Sequence, residues 1–363
     1  MLIQEASKWD IATYVLDPEE QCPAGSIASV YVKGNYRDFD AVYQFGKQVD
    51  ILTYEIENIN IEALHKLKSE GLKIAPDPAV LEMIQDKGMQ KKFLQEHAIP
   101  TSSFQFFPNK EEIIKALSVN SLAYPFVQKL RTGGYDGRGV AVINDRRDLG
   151  KLLDAASVIE DKIEIDREIA VIAARNEGGE IRCYPVVEML FDPDANLVDM
   201  LICPAGVDFE QSEKAQRIAA RLIELLGMNG LLTVEFFVDK QGEIMVNEMA
   251  PRPHNSGHHT IESVMTSQFE QHLRAILNLP LGSTKLNMSA VMLNLLGEKG
   301  FNGKVKYEGL TESMAIEGVK IHLYGKKITW PFRKMGHVTI ISKTLEDSLS
   351  KTQSVKKLIK VRS

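Results

Sequence analysis

A regular exchange of helix-like and strand-like stretches opens the chain. MLIQEASKW (1–9) has the apolar spacing of an amphipathic helix, IATYVLD (11–17) reads as a strand, RDFDAVYQFGKQ (37–48) as a helix, VDILTYEI (49–56) as a strand and NIEALHKLKSE (60–70) as a helix. Alternation of this kind builds a parallel sheet wound with helices, and its first unit is strand, glycine-rich turn, helix. Here the chain enters at the helix. In the common strand order the first strand is central, and its loss leaves its neighbours' backbone groups and apolar faces unpaired, so a start placed too late is expected. Asp17 ends a strand as a ribose-binding acid does, but no GxGxxG precedes it, which leaves a dehydrogenase weakly supported.

At 363 residues the chain exceeds what one core organises, which predicts two or three domains. Its 44% hydrophobic and 25% charged content is that of a globular protein. A net charge of -6 argues against a nucleic-acid binder, and no apolar run approaches the ~20 residues of a membrane span. The cysteines Cys22, Cys183 and Cys203 lie far apart without a CxxC, so neither a disulfide framework nor a zinc knuckle is expected. With no charged-then-apolar leader, small-molecule chemistry in a reducing cytoplasm fits best.

The expected class is α/β (α+β). A Rossmann-like domain over 1–79, apparently without its first strand, precedes a middle domain over 80–284, entered through the Pro-flanked helical pair in PDPAVLEMIQDKGMQKKFLQEHAIPT (76–101). After LPLGS (279–283), MSAVMLNLLGE, SMAIEGVKIHLYG and KMGHVTIISK read as strands of a small β-rich domain over 285–363, closed by a basic helix from about Thr344.

LLTVEFFVD (231–239) and EIMVNEMA (243–250) read as a β-hairpin carrying two acids. Glu235 and Glu248 face each other if the loop holds four residues or the hairpin carries a bulge; a tight two-residue loop does not align them. Two carboxylates on one face among Leu, Val, Phe and Met repel unless a cation lies between them, and magnesium, which takes a few carboxylate or amide oxygens plus phosphate, fits with Asn247 beside them. The plainer reading is a polar hairpin edge. KLRTGGYDGRGV (129–140) sets four glycines between two strands with Lys129 and Arg138 flanking, a phosphate-covering loop or an ordinary glycine-rich turn, and not a Walker A loop. VIEDKIEIDREIAV (158–171) is either a charged connection between elements, the reading favoured without its neighbouring motifs, or a segment offering backbone groups over Glu160, Asp161, Lys162 and Ile163 to an adenine edge and the Glu168 carboxylate to ribose hydroxyls. His254, His258 and His259 of NEMAPRPHNSGHH (247–259) invite a zinc reading with Cys203 or Glu248, but they lie in a Pro/Gly-rich loop without HExxH, so loop contacts are expected.

Taken together, "ILTYEIEN", "RTGGYDGRG", "GLLTVEFFVD", "VNEMAPRPHNSGHHTIE", "HLYGK" and "RKMGHV" span nearly the whole chain, which resembles the ATP-grasp superfamily and, within it, the 5-(carboxyamino)imidazole ribonucleotide synthetase family. The resemblance implies that Lys87, Lys129, Gly134, Gly137, Gly139, the Glu160–Ile163 hinge, Glu168, Asn247 and Glu248 hold ATP, with Glu235 and Glu248 on magnesium. It implies that Tyr135, Asp136 and Arg138 contact aminoimidazole ribonucleotide, that Lys326 and Arg333 clamp its phosphate, and that Glu55 or Glu57 lies near its imidazole. Lys129, Asp136 and Arg138 carry the catalytic roles, and the proton acceptor is Asp136 or Glu55. The family opens with a strand and a "GGGQLGRM"-like turn, absent here, and many relatives carry a histidine where Phe191 stands, which makes one ATP contact apolar.

The implied reaction joins ATP, bicarbonate and aminoimidazole ribonucleotide through carboxyphosphate to give ADP, phosphate and the N-carboxylated nucleotide, in purine synthesis, by a homodimer without nucleic-acid or membrane partners. The rivals are another ATP-grasp ligase or carboxylase with a different acceptor, and a non-catalytic nucleotide-binding relative.

Overall fold

The computed structural model describes residues 1–134, 139–192 and 197–363. Its centre is a nine-stranded antiparallel sheet. Gly230–Asp239 lies between Ile244–Ala250 and Ile165–Arg175; beyond it come Val187–Asp192, Leu197–Cys203, Ser289–Leu296, Lys334–Ser342 and Val319–Leu323, with Ile181–Cys183 also paired to Ile165–Arg175. The C-terminal strands thus extend the middle domain's own sheet, through the pairs Met200 to Leu293 and Cys203 to Ala290.

Strand alternation decides what each face does. Leu232, Val234, Phe236 and Val238 pack with Ala215, Ile218, Ala219, Leu222 and Ile223 of the helix Phe209–Leu225. Glu235, being odd in register, projects from the opposite face. Above that face sits a four-stranded antiparallel sheet in the order Phe104–Phe107, Ser157–Asp161, Phe126–Leu130, Val140–Ile143, with its own core around Ile113, Phe126, Ile143 and Ile159.

The first domain is less regular than expected. Tyr14–Asp17 pairs in parallel with Val30–Lys33, and Ile51–Leu52 with Lys73–Ile74, as two separate two-stranded sheets with no ladder between them among the described residues. The expected strand 49–56 is reduced to Ile51–Leu52; beyond it Thr53 hydrogen-bonds His272 at 2.7 Å and Tyr54 donates to the Pro76 carbonyl at 3.2 Å. The opening helix, Leu2–Ser7, packs with Leu273 and Ile276 of the helix Gln268–Ile276.

The Pro-flanked helical pair forms as expected, Pro78–Gln85 and Lys87–Glu96, each capped by an aspartate (Asp77, Asp86). The segment 313–325 is not one strand. The helix Leu310–Met314 precedes Val319–Leu323, because Gly309 and Gly318, both at positive φ, break the run. The basic helix closes as Leu345–Leu358.

Candidate active site

The acid hairpin is aligned by a bulge. Val238, Phe237 and Phe236 pair in register with Ile244, Met245 and Val246, which alone would set Glu235 opposite Asn247; the shift after Glu235 sets it opposite Glu248 instead. Glu235 is crowded by protein, and burial first, then the charges of Glu248 and Glu168, push its carboxyl up to about 8. Glu168, on the neighbouring strand, is pushed up to about 7 by burial, with Glu248 adding and Lys129 opposing. Glu248 is held below the ordinary range by the Lys87 ammonium, with which it forms an ion pair.

Two lysines reach this hairpin from opposite elements. Lys87 opens the helix Lys87–Glu96, and Lys129, near the end of Phe126–Leu130, donates to Asn247 Oδ1 at 2.8 Å. Lys129 also lies 3.1 Å from Glu160 Oε1, while Lys91, one helical turn after Lys87, lies 2.9 Å from Glu160 Oε2 and donates to Thr101 and Ser102 at 2.7 and 3.0 Å. Burial alone would raise Glu160, but Lys129, Lys91 and the Ser102 hydroxyl outweigh it and hold the carboxyl at about 2. Burial pushes Lys91 down to about 8, with Lys129 adding. One carboxylate shared by two buried ammonium groups leaves an excess positive charge, which suits an anion such as a phosphate.

The side chain of Glu160 therefore points into the protein, whereas Asp161 is exposed, Lys162 donates to Asn144 at 2.7 Å and Ile163 is half-buried. Phe191 packs, partly buried, against the apolar cluster of Ala170, Met189, Leu201 and Cys203. In the glycine loop, Gly133 and Gly139 have φ of 77° and 81°, and a Cβ at Gly139 would fall tightly, 3.2 Å from Leu130 and 3.3 Å from Gly134. Tyr135, Asp136, Gly137 and Arg138 lie outside the described residues.

Arg252, within the loop after the hairpin, is forked onto Glu57 Oε1 at 2.8 and 2.9 Å. Of Glu55 and Glu57, Glu57 is thus the one engaged with the loop. His254 faces Glu235 at 3.6 Å, too long for a hydrogen bond, and burial holds it neutral. Gln268 orders this loop, accepting from His254 N, donating to His254 O and meeting His258 Nδ1 at 3.1 Å. His259 meets Ser263 at 2.8 Å, and the His258 ring lies tilted 4.9 Å from that of His337. The three histidines serve the loop and its interface with the C-terminal strands.

Lys326 and Arg333 lie together beside Glu19 of the first domain. Lys326 is lowered by burial and then by Arg333, and donates to the Lys334 carbonyl at 2.8 Å; Arg333 lies 3.8 Å from Glu19 and stacks on Trp330.

Among the described residues no group of three or more His, Cys, Asp or Glu side chains is arranged to hold a metal alone. The donors present nonetheless fit magnesium. Glu235 and Glu248 face each other, Asn247 adds an oxygen, and the remaining positions of an octahedral ion are those that phosphate oxygens and water take.

Comparison with known proteins identifies the family. Residues 1–85 match the ribonucleotide synthetase preATP-grasp domain, 92–269 the ATP-grasp domain, and 290–351 the phosphoribosylaminoimidazole carboxylase C-terminal domain. The chain is 35% identical over 347 residues to N5-carboxyaminoimidazole ribonucleotide synthase of Brucella melitensis, covering 94% of this chain and 92% of that protein. It belongs to the N5-carboxyaminoimidazole ribonucleotide synthase family. A crystal structure of the Thermotoga maritima synthetase is similar at 45% identity and a TM-score of 0.91, covering 100% of this chain and 96% of that one. That of the Aspergillus clavatus synthase in complex with ADP and 5-aminoimidazole ribonucleotide is similar at 31% identity and a TM-score of 0.89, with 98% and 94% covered. The chloroplastic phosphoribosylaminoimidazole carboxylase of Vigna aconitifolia is 38% identical over 95% of this chain, which spans 62% of that longer relative.

Lys91, Ser102, Arg252 and Gln268 were not singled out by sequence reasoning. Lys91 carried a signal, a lysine one turn after Lys87 on a helix whose apolar residues predict that face to be buried; the other three depend on contacts between distant segments.

Proposed function

We propose that this chain carboxylates the exocyclic amine of 5-aminoimidazole ribonucleotide with ATP and bicarbonate, releasing ADP and phosphate. The carrying observation is the bulged hairpin that sets Glu235 opposite Glu248 beneath Lys87 and Lys129. ATP lies between the two sheets, with its adenine on the Glu160–Ile163 hinge backbone and its ribose near Glu168. The phosphates lie on Lys87, Lys129 and the loop amides around Gly134, Gly137 and Gly139. Glu235 and Glu248, with Asn247 near, would hold magnesium, which would supply positive charge to the transferring phosphoryl group.

Bicarbonate oxygen attacks the γ-phosphorus and ADP leaves, giving carboxyphosphate; its carboxyl carbon then passes to the amine as phosphate leaves. Lys129 offsets charge on the transferred group, and its shared hold on Glu160 and Asn247 fixes its ammonium before substrate arrives. Enclosure between the sheets keeps water from carboxyphosphate. Lys326 and Arg333, two cations held side by side, take the nucleotide's phosphate. Tyr135, Asp136 and Arg138 contact the same nucleotide, Glu55 lies near the imidazole, and Asp136 or Glu55 accepts the amine proton. The chain works as a homodimer, and its three free cysteines suit a reducing compartment such as the cytoplasm.

The test is ADP release from MgATP with and without aminoimidazole ribonucleotide, with bicarbonate supplied or depleted. Release that requires the nucleotide, with carboxylated product that requires bicarbonate, is expected. Release stimulated only by another acceptor, or ATP binding without turnover, overturns the reading.

A further inference from the structure

Arg131, the first residue of the RTGGYDGRG segment, has no part in the site as described. It nevertheless lies at the junction of the two elements that carry Lys87 and Lys129. Its guanidinium forms a fork on Asp86, with Nε 2.9 Å from Oδ1 and Nη2 on Oδ2. Asp86 is the cap of the helix that Lys87 opens, accepting from Gly88 N at 2.7 Å and Met89 N at 3.3 Å. The backbone repeats the link, since Lys87 N donates to the Arg131 carbonyl at 2.8 Å. A second tie runs from Arg131 N to Ala156 O at 3.0 Å.

The fork is enclosed on one side. A Cβ at Gly88 would fall 2.8 Å from Arg131 Nε, 3.0 Å from Asp86 Oδ1 and 3.1 Å from the Phe106 ring, so glycine is what lets the guanidinium lie against the helix. The Phe106 ring lies 5.8 Å from the guanidinium. Burial would raise Asp86, but Arg131 and the two helix N–H groups outweigh it, so the acid stays ionised. A planar bidentate pair fixes direction as well as distance, which a single lysine contact cannot do.

We propose that Arg131 and Asp86 are a positioning pair. They touch no substrate, and they lock the end of the strand bearing Lys129 to the start of the helix bearing Lys87, so that both ammonium groups meet the acid hairpin in one geometry competent to receive nucleotide phosphates. This rests on the phosphate-binding role given above to the two lysines. The neighbouring Lys92, 5.4 Å from the same Phe106 ring, has no such link to Lys87 or Lys129.

The experiment uses the full chain with Arg131→Gln, Arg131→Lys, Asp86→Asn, the Arg131→Gln/Asp86→Asn double variant, and Gly88→Ala, which displaces the fork while favouring the helix. MgADP binding by calorimetry, KM for ATP, KM for aminoimidazole ribonucleotide and Tm are measured for each. The expected result is a loss of about tenfold or more in MgADP affinity and in apparent ATP affinity for both single variants. KM for aminoimidazole ribonucleotide stays within about twofold, and the double variant is no worse than the weaker single one, as for residues that act as one unit. Arg131→Lys recovers only part, and Gly88→Ala weakens MgADP without lowering Tm. Unchanged MgADP affinity, additive losses in the double variant, or equal loss of both substrates in step with Tm overturns the proposal. If the unaltered chain binds MgADP but releases no ADP with aminoimidazole ribonucleotide, the acceptor reading fails while the MgADP arm still decides the pair.

Discussion

Lys91→Met tests whether the buried Glu160 network is the frame that holds Lys129. Lys91 and Glu160 are each 3% exposed, with Lys91 Nζ 2.9 Å from Glu160 Oε2. Removing one partner of such a pair costs about 3–5 kcal/mol, because the other charge stays buried. The lower end applies, since Lys129 remains 3.1 Å from the second oxygen and Ser102 still donates to Glu160. Methionine keeps the stem's apolar packing, so the loss isolates the amine's contacts with Glu160, Thr101 and Ser102. Glu160→Gln alone leaves two lysines without their shared acid and costs a similar amount. The double variant Lys91→Met/Glu160→Gln is expected to lose less than the sum of the singles by about 2 kcal/mol. Urea unfolding followed by circular dichroism gives the three numbers. The Met variant also raises KM for ATP, because Lys129 becomes the sole counter-ion of Glu160 and is drawn from Asn247. A cost under about 1 kcal/mol for Lys91→Met, or strictly additive losses, refutes the reasoning.

The same network sets a pH dependence. Glu160 is held at about 2 against an ordinary 4.5, so the folded state binds its proton more weakly; roughly 3 kcal/mol of stability is complete above pH 4.5 and is lost as pH falls towards 2. Acid unfolding of Glu160→Gln should lack that component. Lys91 has the opposite sense: at about 8 it works against folding at lower pH, and that cost fades as pH rises from 8 towards 10.5. Glu235→Gln and Glu248→Gln should each cut ADP release at least about a hundredfold at saturating nucleotide, through lost charge stabilisation, with Glu235→Gln losing no folding stability because it removes a crowded acid. Replacing Lys326 or Arg333 with Met should raise KM for aminoimidazole ribonucleotide about tenfold and leave KM for ATP alone, since both lie on the C-terminal strands' side and not on the acid hairpin. Gly139→Ala, at φ 81° with Leu130 3.2 Å away, should lower kcat with a Tm change of only a few degrees, measured by steady-state kinetics and thermal melts.

Local chemistry was legible in the sequence. The helix pair Pro78–Gln85 and Lys87–Glu96 could be read because proline and aspartate announce the starts, and the acid hairpin because apolar alternation brackets Lys240–Glu243. The helix Phe209–Leu225 also carries a sequence signal, Asp208 and Gln211 forming a capping box. The strand proposed over 49–56 failed beyond Leu52, since a strand needs a neighbour and the polar groups there found His272 and Pro76 instead.

By itself the sequence determined which residue types are available and where helices and strands begin: two acids on a hairpin, a glycine-rich turn between strands, lysines at fixed helical spacing. Only the tertiary structure decided which of them meet. A bulge, and not the loop length alone, set Glu248 opposite Glu235. Glu160 turned inward to two lysines, Arg252 chose Glu57, and Arg131 clasped Asp86 from 45 residues away. Propensity and pattern act over a few residues, whereas a buried charge must find its partner wherever the packed chain brings one within reach, and no short window of sequence contains that choice.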